Sequence, residues 1–226
     1  MADAPDWPKV LSLAVHEFRT PLTVVAGYLR MLSTDRVGPL SDAQRRVIQE
    51  AEKSCAKLSA LITEVSDVAH FHQGRLTFLR SPVPLSGILD NVAVINSAGD
   101  RLAVSWRGSV DGILVNGDAE RLAQAVSAVA TAVAREIMDD DPLCLVADVA
   151  GSGNAREARL SLGTEAVTRA IADASRNALP SFDITRGGLG LSLVVAQQVI
   201  EDHGGDLRGA PGERPKAGAA IALPLS

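Results

Sequence analysis

The sequence predicts an α+β chain in two parts, a helical hairpin followed by an α/β sandwich. Three observations support this prediction. Apolar residues recur every three or four positions before residue 80, the periodicity then changes, and strand-like and helix-like segments alternate from there to the C-terminus. We therefore expect two domains, at residues 1–78 and 79–226, because a chain of 226 residues is long enough to bury a core in each.

Two long amphipathic helices make up the predicted hairpin. The first has apolar residues at alternating intervals of four and three, at Leu11, Val15, Phe18, Leu22, Val25, Leu29 and Leu32. A Gly-Pro break follows, and Ser41 with Gln44 forms a capping box that begins the second helix. Its stripe consists of Ile48, Ala51, Cys55, Leu58, Ile62, Val65 and Ala69. One hairpin cannot cover both stripes, so we expect a homodimer that closes a four-helix bundle.

The second part alternates between the two kinds of element. A short strand and helix fall within 83–95, further strands are predicted at 102–108, 113–118, 142–151, 157–163 and 217–226, and further helices at 118–137, 164–178 and 191–205. Asp118 is placed to begin the first of these longer helices, and Gly204-Gly205 is placed to end the last. Interleaved strands and helices of this kind are typical of an α/β sandwich.

Composition and charge exclude several functions. Lys and Arg number 22 against 27 Asp and Glu, for a net charge of −5, and no basic patch indicates a nucleic-acid partner. Cys55 and Cys144 fit no paired spacing, which favours reduced thiols. No apolar run approaches the ~18 residues of a membrane span, so we expect a soluble, cytoplasmic protein. His70 and His72 face different sides of a helix, and we predict no metal site.

The segment VHEFRTPLT, residues 15–23, contains the candidate reactive group. His16 follows a core position of the first stripe and is therefore expected to point out of the bundle, where an imidazole can attack phosphorus. Glu17 could accept the ring proton, and Thr20 could position a water molecule or a phosphoryl oxygen. Pro21 removes a helical hydrogen bond beside this histidine, at a cost of about 3 kcal/mol, and predicts a kink there.

This segment, with the heptad helix that follows it, resembles the H-box of two-component sensor histidine kinases. The resemblance implies that His16 is phosphorylated, that Glu17 acts as the base and that Thr20 supports dephosphorylation of the response regulator. The stretch RGGLGLSLVVAQQVIEDHGGDL, residues 186–207, resembles the second glycine box of the same family. It implies a histidine-kinase ATPase type of sandwich with Gly187, Gly188 and Gly190 at the nucleotide phosphates, where a helix N-terminus attracts an anion.

Other family motifs are absent from this sequence. The asparagine box, whose side chains ligate Mg²⁺, aligns with residues 118–137, but its two asparagine positions fall on Ala128 and Ala132. A methyl group cannot bind a hard cation, which requires oxygen ligands. No D-x-G-x-G follows the strand at 157–163, and the lid at 174–185 is short. We therefore regard this domain as degenerate, with ATP and Mg²⁺ as ligands that the resemblance alone implies.

These observations predict a histidine phosphotransferase of the histidine kinase type. It would dimerise through the hairpin, carry a phosphoryl group on His16 and exchange it with the receiver aspartate of a response regulator. Two alternatives stay open at this point. One is an ATP-dependent histidine autokinase with a divergent nucleotide site, and the other is a pseudokinase scaffold that binds a regulator without phosphate chemistry.

Overall fold

The chain forms two compact units, Met1–Thr77 and Phe78–Ser226. The structure is a computed structural model, and it describes residues 7–34, 36–72, 78–95, 101–102, 104, 106–137, 142–151, 156–185, 190–211 and 217–226. No helix within these ranges has the length and apolar content needed to cross a membrane.

Unit 1 is a hairpin of two long helices, α1 (Trp7–Ser33) and α2 (Asp42–His72). The predicted capping box begins α2. The Ser41 amide donates to the Gln44 Oε1 atom at 2.9 Å, and the Gln44 amide donates to the Ser41 Oγ atom at 3.4 Å. Helix α1 continues through Pro21 without interruption. The sequence prediction of a helical hairpin is confirmed.

Only one side of each apolar stripe is buried within the hairpin. Val15, Cys55 and Ala69 are buried, and the Cys55 thiol lies 3.8 Å from the Leu22 carbonyl of the facing helix. Phe18 and Val25, predicted as core positions, are 61% and 49% exposed. A single neighbouring helix covers only part of a helix circumference, which explains why these positions remain exposed within one chain. The homodimer that would cover them stays a prediction.

Unit 2 is an α/β sandwich. Its helices are α3 (Leu85–Leu89), α4 (Ala119–Glu136), α5 (Glu165–Asp173) and α6 (Leu191–Asp202), with a 3-10 turn at Arg176–Ala178. Its strands are β1 (Ser81–Pro84), β2 (Val94–Ile95), β3 (Arg101–Leu102), β4 (Trp106–Arg107), β5 (Leu114–Gly117), β6 (Cys144–Ala150), β7 (Glu157–Gly163), β8 (Asp206–Gly209) and β9 (Gly218–Pro224).

Five of these strands form the main sheet, in the order β4-β6-β7-β9-β8. Only the β4-β6 pair is parallel. The pairs β1-β5 and β2-β3 form two small antiparallel sheets. The mixed sheet and the helices packed on it match the predicted fold class. The sequence prediction missed β2 and β8, and its single strand at 102–108 spans parts of both β3 and β4. Strands of two to four residues leave little periodicity to detect.

The two faces of the main sheet are covered by different helices. Alternate residues of β7 and β9, including Leu160, Leu162 and Ile221, belong to the main core together with α4 and α6. On the opposite face, which we call the outer face, α5 packs in a second core of Val167, Ile171, Leu179, Ala210 and Ala220. Gly163 allows this approach, because a Cβ atom there would lie 2.7 Å from the Val167 Cγ1 atom.

Candidate functional site

His16 lies on the solvent-facing surface of α1. Its side chain is 78% exposed, and that of Glu17 is 69% exposed. The His16 Nδ1 atom lies 3.4 Å from the Glu17 Oε1 atom. A carboxylate only accepts hydrogen bonds, so this contact favours the proton on Nδ1. The Nε2 lone pair is then directed to solvent, where it can attack an electrophile.

The residues after His16 modify the helix backbone. Pro21 has no amide, so the Glu17 carbonyl lacks the partner four residues later that an α-helix normally provides. The Thr20 hydroxyl donates to the His16 carbonyl at 3.4 Å, and the Thr23 hydroxyl donates to the Arg19 carbonyl at 2.8 Å. The structure therefore places His16, Glu17 and Thr20 on one short exposed segment. The kink predicted at Pro21 stays a prediction.

Unit 2 contains an open cavity of about 700 Å³ beside α4. Glu120, Gln124 and Ala128 line it from this helix, and Ser192 lines it from the first turn of α6. Two α4 hydroxyl groups accept hydrogen bonds from the cavity wall at residues 93–95. Ser127 accepts from the Ala93 amide at 3.0 Å, and Thr131 accepts from the Ile95 amide at 3.2 Å. The volume is large enough for a small-molecule ligand.

The side chains on α4 do not fit a hard cation at the two predicted positions. Ala128 presents a methyl group to the cavity, and Ala132 is only 1% exposed, inside the main core. Mg²⁺ requires oxygen ligands in near-ideal octahedral geometry. The Glu120 carboxylate at the cavity accepts a hydrogen bond from the Gln124 side chain at 3.3 Å. These side chains do not fit a metal-bound nucleotide.

Of the predicted nucleotide site, the structure describes the N-terminus of α6. Gly190 is its N-cap with φ of 56°, a left-handed conformation that favours glycine, and no side chain caps the helix. Ser192 in the first turn of the same helix lines the cavity. Gly187 and Gly188, the other two predicted phosphate-binding residues, lie outside the described residues.

The chain after β7 runs along the outer face of the sheet. Helix α5 begins at Glu165 without a side-chain cap, and the 3-10 turn follows it. Arg176 holds this turn to the sheet through Glu157 at 2.8 Å and Asp206 at 3.2 Å. The Pro180 carbonyl also accepts from the Gly209 amide at 2.8 Å. Residues 174–181, most of the segment predicted as a short lid, are therefore held on the face opposite α4 and α6.

Asp206 is the electrostatic centre of this attachment. Burial raises the pKa of its carboxyl, but hydrogen bonds and charges from Arg208 and Arg176 outweigh that effect and hold the pKa below its ordinary value of 3.8. Sequence reasoning missed this cluster, because no local spacing brings together Glu157, Arg176 and Asp206, which come from three separate segments.

A buried histidine joins the ends of α4 and α6. His203 is 5% exposed, its Nδ1 atom lies 2.6 Å from the Val199 carbonyl, and its Nε2 atom accepts from the Asp118 amide at 3.1 Å. The Asp118 side chain caps α4 by accepting from the Arg121 amide at 3.2 Å. It also accepts from the Leu79 amide at 3.1 Å. The segment His203-Gly204-Gly205, which ends α6, therefore holds the N-terminus of α4, the helix that lines the cavity.

Comparison with known proteins agrees with this arrangement. Residues 9–74 match the family described as His Kinase A (phospho-acceptor) domain. The signal transduction histidine-protein kinase BarA of Escherichia coli K12 is 28% identical over 204 residues, which cover 85% of this chain and 22% of BarA. Sensor protein GacS of Pseudomonas syringae pv. syringae is 26% identical over 230 residues, which cover 92% of this chain and 24% of GacS. The chain thus spans less than a quarter of the length of these relatives.

Solved structures show the same fold. The crystal structure of full-length ShkA in complex with AMPPNP superposes with a TM-score of 0.61 and 22% sequence identity, covering 97% of this chain and 46% of ShkA. The histidine kinase AdeS of Acinetobacter baumannii gives a TM-score of 0.51 at 15% identity, covering 93% of this chain and 98% of that one. At this identity the likeness concerns the fold of the chain.

Proposed function

We propose that His16 accepts a phosphoryl group and passes it on. The chain carries the phospho-acceptor domain and has the fold of a two-component sensor histidine kinase core. The exposed imidazole, with Nδ1 turned to the Glu17 carboxylate, is the observation that carries this proposal. The partner is the receiver domain of a response regulator, whose phosphorylated aspartate supplies or receives the group.

The transfer needs only groups at this segment and on the receiver. The His16 Nε2 lone pair attacks the phosphorus of the receiver's acyl phosphate, so an N–P bond forms. The P–O bond to the aspartate breaks, and its electron pair remains on the carboxylate oxygen. Glu17 accepts the Nδ1 proton as positive charge develops on the ring. The reverse sequence of these steps returns the phosphoryl group to a receiver.

Thr20 takes a second role in the proposal. Its hydroxyl is exposed one helical turn after His16, and its weak 3.4 Å bond to the His16 carbonyl leaves it able to rotate toward a water molecule. We assign it to the hydrolysis of the receiver's acyl phosphate rather than to the transfer onto His16. The Thr20→Ala variant is therefore expected to retain labelling of His16 and to lose receiver dephosphorylation.

A receiver labelled with radioactive phosphate tests the proposal. Incubated with the full chain, it is expected to transfer label to His16, and the label is expected to disappear in the His16→Ala variant. His70→Ala is the matched control, because His70 is also an exposed histidine on the hairpin. If the wild-type chain takes no label from any receiver of its organism, the chain acts as a scaffold and the proposal is wrong.

One observation favours ATP-dependent autophosphorylation as a second candidate function. The uncapped N-terminus of α6 contributes to the wall of the 700 Å³ cavity and could attract an anion. The alanines of α4 argue against it, since phosphoryl transfer from ATP depends on metal and charge neutralisation. Calorimetry with ATP in the presence and absence of Mg²⁺ separates the two. Micromolar binding together with label on His16 from the γ-phosphate would establish the autokinase.

A further inference from the structure

The side of α1 that carries His16 has one cation and two hydroxyl groups within two helical turns. Arg19, Thr20 and Thr23 follow His16 at helical spacings that place them on its side of the helix, while Glu17 lies about 100° around the axis. The whole helix contains one carboxylate, that of Glu17, and three cations, Lys9, Arg19 and Arg30. The helix therefore has an excess of two positive charges, in a chain whose net charge is −5.

Arg19 is the cation nearest to His16 on this surface. Residues three apart on a helix have Cβ atoms about 5–6 Å apart, so both side chains reach the same volume of solvent. Arg19 is exposed, and within the described part of the chain its guanidinium makes no hydrogen bond or ion pair. In unit 2, by contrast, Arg159, Arg176 and Arg208 are all paired with carboxylates. Arg19 is therefore available to an external anion.

We propose that Arg19 is the phosphoryl-binding residue of this site, an inference that rests on the proposed transfer to His16. Its guanidinium contacts the phosphoryl oxygens of the receiver's acyl phosphate as the group approaches Nε2, and it then contacts those of phosphorylated His16. The planar fork of arginine matches two phosphoryl oxygens at once, and such charge-assisted hydrogen bonds strengthen as charge shifts during transfer.

Three variants of the full chain separate this role from general electrostatic attraction. Arg19→Ala removes the contact, and Arg19→Lys keeps the charge but loses the fork. Arg30→Ala is the matched control, because it removes one positive charge from the same helix three turns further on. Single-turnover transfer from a phosphorylated receiver gives both the maximal rate and the receiver concentration at half-maximal rate.

The Arg19→Ala variant is expected to lower the maximal transfer rate about 10- to 100-fold, the effect of losing one charged hydrogen-bond partner. The half-saturating receiver concentration should change little, Arg19→Lys should recover part of the rate, and Arg30→Ala should stay within about twofold of wild type. Helix content and thermal unfolding should be unchanged, since Arg19 is exposed.

The outcomes distinguish this inference from the proposal beneath it. If wild type is labelled on His16 and Arg19→Ala is labelled at the same maximal rate, the role of Arg19 is overturned and the transfer function stands. A loss that appears equally in Arg30→Ala also overturns it, because general charge would then explain the effect. If wild type takes no label at all, both are overturned.

Discussion

Replacing His203 with alanine should destabilise unit 2 substantially. The ring is buried and bonded at both nitrogens, to the Val199 carbonyl and the Asp118 amide. It also packs edge-on against Phe78, with 4.9 Å between the ring centroids. Alanine would leave the Asp118 amide without its acceptor, whereas the Val199 carbonyl would keep the backbone amide of residue 203 as a donor at 3.2 Å. The variant therefore leaves one buried polar group, rather than two, without a hydrogen-bond partner.

The expected loss follows from these contacts. An unsatisfied buried amide costs about 1–3 kcal/mol. Loss of the aromatic edge contact costs about 0.5–1.5 kcal/mol. We expect the free energy of unfolding of unit 2 to fall by about 1.5–4.5 kcal/mol. The His203→Gln variant should recover part of this loss, because its side-chain oxygen can accept from the Asp118 amide.

Trp106 fluorescence can report unfolding of unit 2 within the full chain. Trp7 is the only other tryptophan, so a Trp7→Phe background leaves Trp106 as the single probe. Urea unfolding would be measured for wild type, His203→Ala and His203→Gln in this background. His70→Ala is the control, because its exposed histidine should change stability by less than about 0.5 kcal/mol. If His203→Ala matches that control, the structural role assigned to His203 is refuted.

Three further predictions concern the other surfaces. The contribution of the Asp206 cluster to stability should be present above about pH 4 and be lost as pH falls further, because the folded carboxyl has the lower pKa; acid unfolding of Asp206→Asn should show a weaker pH dependence in that range. Phe18→Glu should give a monomer by analytical ultracentrifugation, whereas Thr23→Glu should not change the mass, since the exposed phenyl ring is expected to form the dimer core. Ala132→Asn should lower the unfolding free energy by about 1–3 kcal/mol in urea titrations because it overpacks the core, while Ala128→Asn, at the open cavity, should cost little.

The hairpin was predictable because its signals are local. The period of the apolar residues identified both helices, and Ser41 with Gln44 marked the start of α2 within one residue. Phe18 is an example of what a local pattern cannot predict. A heptad position indicates that a residue contacts an apolar partner, but it does not indicate whether that partner belongs to the same chain.

Unit 2 was less predictable where long-range contacts decide the path of the chain. The sequence predicts the strand at 157–163 and lacks the D-x-G-x-G motif after it. No local sequence pattern indicated that the next helix would pack on the outer face. That choice depends on small residues of two strands, Gly163 and Ala220, which leave room for Val167 and Ile171. The Arg176 contacts with Glu157 and Asp206 also connect segments 19 and 30 residues away.

The structure suggests why the fold can persist where nucleotide chemistry does not fit. Helix α4 packs on the main core through Leu122, Val126 and Val129, whereas Ala128, one of the two predicted metal-ligand positions, lines the cavity. Alanine at position 132 costs the core nothing, since a small apolar residue packs well there. His16, in contrast, depends on one exposed helix surface and on no residue of the cavity. Loss of ATP chemistry in unit 2 would therefore leave the transfer chemistry of His16 physically possible, provided that a receiver supplies the phosphoryl group.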